Sequence, residues 1–149
     1  MKIYIASSWR NRHAVEMLTD LLETKGHEVV SFVREGANPD RDGSNLDKWI
    51  ASDDGEKKFQ FDTNGAMESD LVIYIGPSGT DAWAEVGLAW GGEKPIYGLY
   101  AKGESSGLMR RMMTRWFDSY RDLLSAVNLK SMVVERGGRP PDLQEDLER

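Results

Sequence analysis

Cysteine is absent from this 149-residue chain, which excludes a disulfide framework, a thiolate metal site and a thiol nucleophile. Histidine is nearly absent. His13 and His27 stand far apart without metal-ligand spacing, so neither a catalytic metal nor any other cofactor is expected. No apolar run is long enough to span a bilayer, and no leader-like segment precedes the opening Lys2-Ile3-Tyr4-Ile5-Ala6. A soluble cytoplasmic protein with no membrane partner is therefore the expectation. An excess of positive charge is also lacking. With 19 Lys and Arg against 25 Asp and Glu, the net charge of −6 argues against a large nucleic-acid surface. What is present is 40% hydrophobic residues and five tryptophans, enough for one domain with a real core.

The chain alternates apolar strand-length runs with helical periodicity. Lys2 to Ala6 reads as a first strand, and a polar turn Ser7-Ser8-Trp9-Arg10-Asn11 leads into a helix near Arg12 to Lys25 with Ala14, Val15, Leu18, Leu21 and Leu22 as its apolar positions. Gly26 ends it, and His27 to Val33 reads as a second strand. A polar loop from Arg34 to Ser44 and a Trp49 segment precede a helix over Glu56 to Glu68. Leu71 to Ile75 is uniformly apolar, as a strand buried on both faces should be. The Gly76-Pro77-Ser78-Gly79 turn and a helix to Gly91-Gly92 follow, with Ala82, Val86, Ala89 and Trp90 on one face. Pro95 to Tyr100 reads as a fourth strand, Gly103 to Gly107 as a loop, Leu108 to about Val127 as mostly helical and Ser131 to Val134 as a weak strand. The apolar, Met-rich Leu108 to Met113 suggests a buried helix or a dimer face. One domain over 1–135 and a polar tail over 136–149, a terminal arm by composition, complete the division. The pattern predicts a three-layer α/β fold with a mainly parallel sheet of about five strands. Such folds bind ligands at the carboxyl ends of the strands, where the turns after strands one and three lie.

Those two turns carry the candidate chemistry. Ser78 and Gly79 precede a helix, where backbone N–H groups meet anions, although a plain turn and N-cap would use the same residues. Glu85 falls on the rim of the following helix. It is either a carboxylate stabilised by the helix dipole or a group aimed at a ligand, and the dipole would help keep it ionised. Ser7, Ser8, Arg10 and Asn11 form a second polar turn, in which Arg10 is a phosphate clamp or a solvated side chain. Asp62 lies before the third strand and reads equally as a helix-surface aspartate. Tyr4 reads as a core residue with a tethered hydroxyl. Trp9, Trp49 and Trp83 read as core. Asp53, Asp54, Arg110 and Arg111 have no assignable role beyond a solvated face.

Taken in order, Tyr4-Ile5-Ala6-Ser7-Ser8-Trp9-Arg10-Asn11, then Asp62…Ala66-Met67…Asp70, then Pro77-Ser78-Gly79…Glu85-Val86-Gly87-Leu88-Ala89 and Gly92-Glu93-Lys94-Pro95, the chain resembles the nucleoside 2-deoxyribosyltransferase-like superfamily. That superfamily includes 2′-deoxynucleoside 5′-phosphate N-hydrolases and pyrimidine nucleotide hydrolases of antibiotic pathways, and the resemblance spans roughly Lys2 to Leu124. It implies a flavodoxin-like fold and a homodimer or higher homo-oligomer. It also implies Glu85 as the nucleophile on the anomeric carbon and Asp62 as the carboxylate that protonates or orients the departing base. Ser78 and Gly79 would contact a phosphate, and Tyr4, Ser7, Ser8 and Arg10 would line the sugar and phosphate end. Ser106 would match a serine lent to a neighbouring subunit's site. The chain departs from the transferases at Ser78, where they carry aspartate, and in the longer spacing from Thr80 to Glu85. It departs from the hydrolase branch at Thr80 and Trp83, where arginine and histidine are frequent.

The resemblance thus implies hydrolysis of the N-glycosidic bond of a nucleoside 5′-monophosphate, pyrimidine or deoxynucleotide, with a small-molecule substrate and no nucleic-acid partner. A deoxyribosyltransferase that passes the sugar to a second base, and a catalytically silent nucleotide sensor, are the alternatives. A phosphoacceptor receiver domain is disfavoured, because strand three ends at Ile75-Gly76 without the required aspartate.

Overall fold

The computed structural model describes residues 1–35, 46–105 and 107–135. Among the described residues five strands and six α-helices run in the order β1 (Lys2–Ser7), α1 (Arg12–Thr24), β2 (Glu28–Val30), α2 (Phe32–Glu35), α3 (Leu46–Ile50), α4 (Asp53–Glu68), β3 (Leu71–Ile75), α5 (Thr80–Gly91), β4 (Ile96–Leu99), β5 (Arg115–Phe117) and α6 (Tyr120–Glu135). The sheet order is β2-β1-β3-β4-β5 and every pairing is parallel. This is the flavodoxin-like order, whose ligand crevice opens where the chain reverses between β1 and β3.

Period-two alternation sorts the two central strands into opposite layers. Ile3 and Ile5 of β1 and Leu71, Ile73 and Ile75 of β3 face one core, closed by Val15, Leu18 and Leu22 of α1 and by Leu123, Ala126 and Val127 of α6. Tyr4 and Ala6 of β1 and Val72 and Tyr74 of β3 face the other, closed by Ala66 of α4 and by Ala82, Val86 and Ala89 of α5. Each large aliphatic side chain buried this way contributes roughly 1.5–3 kcal/mol relative to exposure. The expected fold class is therefore the observed one, with all five strands parallel.

Several sequence expectations are corrected. The second strand stops at Val30 and Phe32–Glu35 forms a short helix, because Phe32 turns inward onto Trp9, ring centroids 4.4 Å apart. The segment from Leu108 is not one helix: a 3-10 turn over Leu108–Met112 is followed by β5, whose Trp116 lies on Gly98 of β4. A side chain at Gly98 would meet the Trp116 ring at 2.5 Å, so the missing Cβ is what admits this edge strand. The weak strand at Ser131–Val134 is the end of α6. β-branched residues cost a helix only tenths of a kcal/mol, and these four residues continue the helix that packs Leu123, Ala126 and Val127 into the core. Trp90 is 59% exposed and does not share the buried face of α5, and Leu21 and Ala14 of α1 are exposed too. Leu108 and Met109 are solvent-facing, whereas Met113 is buried. The fourth helix begins three residues earlier than expected, at Asp53, with Ser52 as its N-cap accepting from the Gly55 N–H. The predicted tail over 136–149, most of the polar loop after Arg34 and Ser106 lie outside the described residues.

One glycine governs how α4 meets the sheet. A Cβ on Gly65 would lie 2.4 Å from the Tyr4 ring, so only glycine lets α4 lie flat against β1 there. Gly65→Ala should cost about 1–3 kcal/mol in chemical denaturation. Gly87→Ala, in open space on α5, should be neutral or stabilising by up to about 1 kcal/mol. Equal effects at the two sites would contradict this account of the packing.

Candidate active site

The Ser7↔Ile75 register of β1 and β3 brings the two candidate turns together. The Asn11 side-chain amide donates to the Pro77 carbonyl at 2.9 Å and to Ser7 Oγ at 3.0 Å. Ser7 and Ser78 hydroxyls both donate to the Ile75 carbonyl at 2.8 Å, and the Ser8 N–H donates to Ser78 Oγ at 3.0 Å. The Gly76-Pro77 peptide bond within the turn is cis. The two serine hydroxyls are thus engaged in tying the turns to one another.

In front of these turns lies a cavity of about 1050 Å³, large enough for a nucleotide-sized ligand. Of the candidate residues, Tyr4, Ser7, Ser8, Arg10, Asp62, Gly79 and Glu85 line it, and Ser78 stands behind it in the turn. The start of α5 at Thr80, Asp81 and Ala82 also faces the cavity, so the unpaired N–H groups of its first turn point toward any anion bound there. Arg10 is exposed, and among the described residues no carboxylate pairs with it. Trp9 packs against one core and also lines the cavity, whereas Trp49, expected in the core, is half-buried at the cavity wall and joins neither core cluster. Trp83 is directed elsewhere. Its ring lies 4.7 Å from that of Tyr74 and its indole N–H donates to Glu104 Oε1 at 3.2 Å, a carboxylate that also accepts from the Tyr74 hydroxyl.

The floor of the cavity is acidic. Tyr4 is 2% exposed, and its hydroxyl donates to Asp62 Oδ1 at 3.2 Å while facing Glu85. Asp62 and Gly65 are three residues apart on one face of α4, so the contact that admits the Tyr4 ring also brings the Asp62 carboxylate to its hydroxyl. Asp62 also accepts from Lys58 Nζ, one helical turn earlier, and Lys58 lies 3.2 Å from Glu35 Oε2 on α2. Lys58, Glu35 and the bridging role of Asn11 were not singled out from the sequence. The i, i+4 spacing of Lys58 and Asp62 on an amphipathic segment was the available signal.

Glu85 is only 9% exposed. Burial first, and then the Asp62 charge, push its carboxyl pKa up to about 8, against the smaller lowering effects of Tyr4 and Lys58. Glu85 is the sixth residue of α5, and the dipole acts mainly within the first turn. The expectation that the helix would keep it ionised is therefore corrected: desolvation outweighs the dipole, and the carboxyl retains its proton at neutral pH in the free protein. Burial likewise raises Glu35 despite Lys58 beside it. Among the described residues no group of three or more carboxylate or imidazole side chains is arranged to hold a metal ion, and no helix is long and apolar enough to cross a membrane.

No protein-family model and no curated protein matches the chain in sequence. Its fold is shared with solved structures. A conserved protein from Enterococcus faecalis V583 superposes with a TM-score of 0.66 at 17% identity, covering 87% of this chain and 98% of that one. A 2-deoxyribosyltransferase from Bacillus psychrosaccharolyticus gives 0.60 at 22% identity over 83% and 90%. The Clostridium botulinum CMP N-glycosidase BcmB gives 0.55 at 19% identity over 87% and 99%. At these identities the likeness establishes the fold.

A buried acid with a raised pKa weakens the fold as it ionises. Below about pH 4.5 Glu85 is protonated whether folded or unfolded and costs nothing; between there and about pH 8 the unfolded chain releases the proton and the folded chain holds it. Stability should therefore fall across that window by about 1.4 kcal/mol per unit, up to a few kcal/mol. Glu85→Gln should melt at a temperature close to wild type at pH 4.5 and progressively higher than wild type by pH 8. A difference independent of pH would show that Glu85 titrates normally.

Proposed function

We propose that the protein hydrolyses the N-glycosidic bond of a nucleoside 5′-monophosphate, a pyrimidine or deoxynucleotide, by a retaining mechanism with Glu85 as nucleophile. The observation that carries this reading is the pair of carboxylates, Glu85 and Asp62, on either side of the Tyr4 hydroxyl in one buried cavity. Two carboxyl groups set close together on one ligand face are the requirement of retaining glycoside cleavage. The fold shared with a CMP N-glycosidase and a 2-deoxyribosyltransferase supports the same chemistry.

The proton balance follows from the burial. Burial holds a proton on Glu85 up to about pH 8. In the reacting form it sits on Asp62, passed across the Tyr4 hydroxyl, and Glu85 is the free carboxylate. A Glu85 oxygen bonds to the anomeric carbon as the carbon–nitrogen bond breaks, its electron pair leaves on the base, and Asp62 gives the base its proton. Water then attacks the anomeric carbon of the glycosyl ester. Asp62 takes the water's proton, and Glu85 leaves as the carboxylate, returning the pair to its starting charge. The phosphate is held by Arg10, Ser8 and the N–H groups at Gly79 and Thr80, and Ser7 and Ser78 act by bracing the two turns. Ser106 would contribute from a neighbouring subunit of a homo-oligomer.

A second reading uses the same covalent ester with a free base, not water, as the acceptor. The volume of the cavity, with the apolar Trp49 and Phe59 at its margin, favours keeping it. Incubation with a foreign base distinguishes the two, since a new nucleoside requires transfer and free sugar alone requires hydrolysis.

Base release should be measured on a panel of nucleosides and their 5′-monophosphates. The expected result is release from a monophosphate, lowered at least about 10³-fold in Glu85→Ala, with kcat/KM falling at high pH through an apparent pKa near 8 as the pair loses its last proton. Arg10→Ala should raise KM for the monophosphate on the order of tenfold or more, as loss of a charge-assisted phosphate contact does. Release that survives Glu85→Ala would overturn the mechanism, and equal rates on nucleoside and monophosphate would overturn the phosphate assignment.

A further inference from the structure

Lys58 is the unexplained charge at this site. Four carboxylates line the cavity, Glu56 and Asp62 from α4 and Asp81 and Glu85 from α5, and Glu35 from α2 stands beside Lys58. Among the described residues Lys58 is the one cation in ion-pair contact with any of them. Its side chain is only 15% exposed and its two partners are 23% and 22% exposed, so the three are held out of bulk water and are not a solvated surface pair. A lysine taken out of water at such cost needs its partners in fixed places. Glu35 is 23 positions away in sequence and on a different helix, so Nζ is in ion-pair contact with carboxylates from two elements, α2 and α4. The ammonium also lies 5.4 Å from the centre of the Phe61 ring.

We propose that Lys58, anchored by Glu35, is a positioning residue that fixes the Asp62 carboxylate against the Tyr4 hydroxyl and balances the negative charge of the Asp62–Glu85 pair. The inference rests on the reading of that pair as the reacting groups. With Lys58 in place, Asp62 has one oxygen committed to both the ammonium and the Tyr4 hydroxyl, which leaves the other for the cavity. The groups facing this cluster are Tyr4 from β1, Glu35 from α2 and Asp81 and Glu85 from α5, and among the described residues Lys58 is the cation in ion-pair contact with it. A residue that merely tied α2 to α4 would supply stability and leave the titration of Glu85 untouched.

The experiment uses the full chain with Lys58→Met, Lys58→Arg and Glu35→Gln. Carboxyl ¹³C NMR titration of Glu85 needs no turnover, so it decides the electrostatic part even if no substrate is cleaved. In Lys58→Met the Glu85 titration should move to higher pH by on the order of one unit, and Lys58→Arg, which keeps the charge, should restore it. Where base release is measured, Lys58→Met should lower kcat on the order of 10–100-fold with little change in KM, as a misplaced reacting group does, and its alkaline limb should move up with the titration. Glu35→Gln, which retains the lysine, should lower kcat several-fold at unchanged KM and keeps the test available should Lys58→Met fail to fold. A Glu85 titration unmoved in Lys58→Met would overturn the proposal, whatever the melting temperature does. So would an unaltered kcat in Glu35→Gln. Absence of base release from wild type would instead count against the glycosidase reading alone.

Discussion

Everything at the cavity depends on the register of β1 against β3. Pairing Tyr4 with Val72 and Ser7 with Ile75 sends Tyr4 toward α4 and α5 and ends both strands at the same level. The turns that follow are therefore within reach of one another, and Asn11 can bridge them. A shift of one residue would reverse the faces of every side chain on β1. It would bring Ile3 and Ile5 to the side now held by Tyr4 and Ala6, which the burial of both layers forbids. The strands' hydrophobic content thus fixes the position of a polar group at their edge.

From that register follows an electrostatic conflict that the fold tolerates. Tyr4 carries its hydroxyl to Asp62, Glu85 is buried beside it, and the Asp62 charge adds to the burial in disfavouring the Glu85 carboxylate. Lys58 offsets only part of this. A structure selected for stability alone would place an apolar side chain at Glu85. Acids held in such surroundings are a feature of sites that move protons, where burial is the means of bringing a pKa near the working pH.

The solved structures that share this fold differ from the chain at about four positions in five, and they include an N-glycosidase and a deoxyribosyltransferase. At that distance the shared feature is the fold, and the loops around a site are where such proteins differ. Trp83 illustrates the variation. Its indole is turned away from the cavity to stack on Tyr74 and bond to Glu104, so the residue the hydrolase-like pattern would put there is replaced by a brace for the loop after β4. The other walls of the cavity carry Arg10, Trp49 and the start of α5.

The sequence by itself determined the parts that local pattern encodes. These are the strands β1 and β3 from their apolar runs, α1 and α5 from their spacing, the parallel layered architecture from the alternation, and the two polar turns from their position after buried strands. Tyr4, Asp62, Glu85 and Arg10 were legible as candidates because their residue types stand at or near strand ends and in the motif order of a known superfamily. Only the tertiary structure decided the rest. β5 is three residues long and exists because β4 offers an edge with Gly98 to admit Trp116, which no local signal around Arg115 reveals. The helical end of α6 won over β-branched residues because it continues a helix already anchored in the core through Leu123, Ala126 and Val127. The protonation of Glu85 depends on how deeply α5 packs and on Asp62 from a separate helix, and the place of Lys58 depends on Glu35 from a third. Periodicity reports which face of an element is buried. It does not report which charges from other elements meet there, and those charges govern the chemistry of this site.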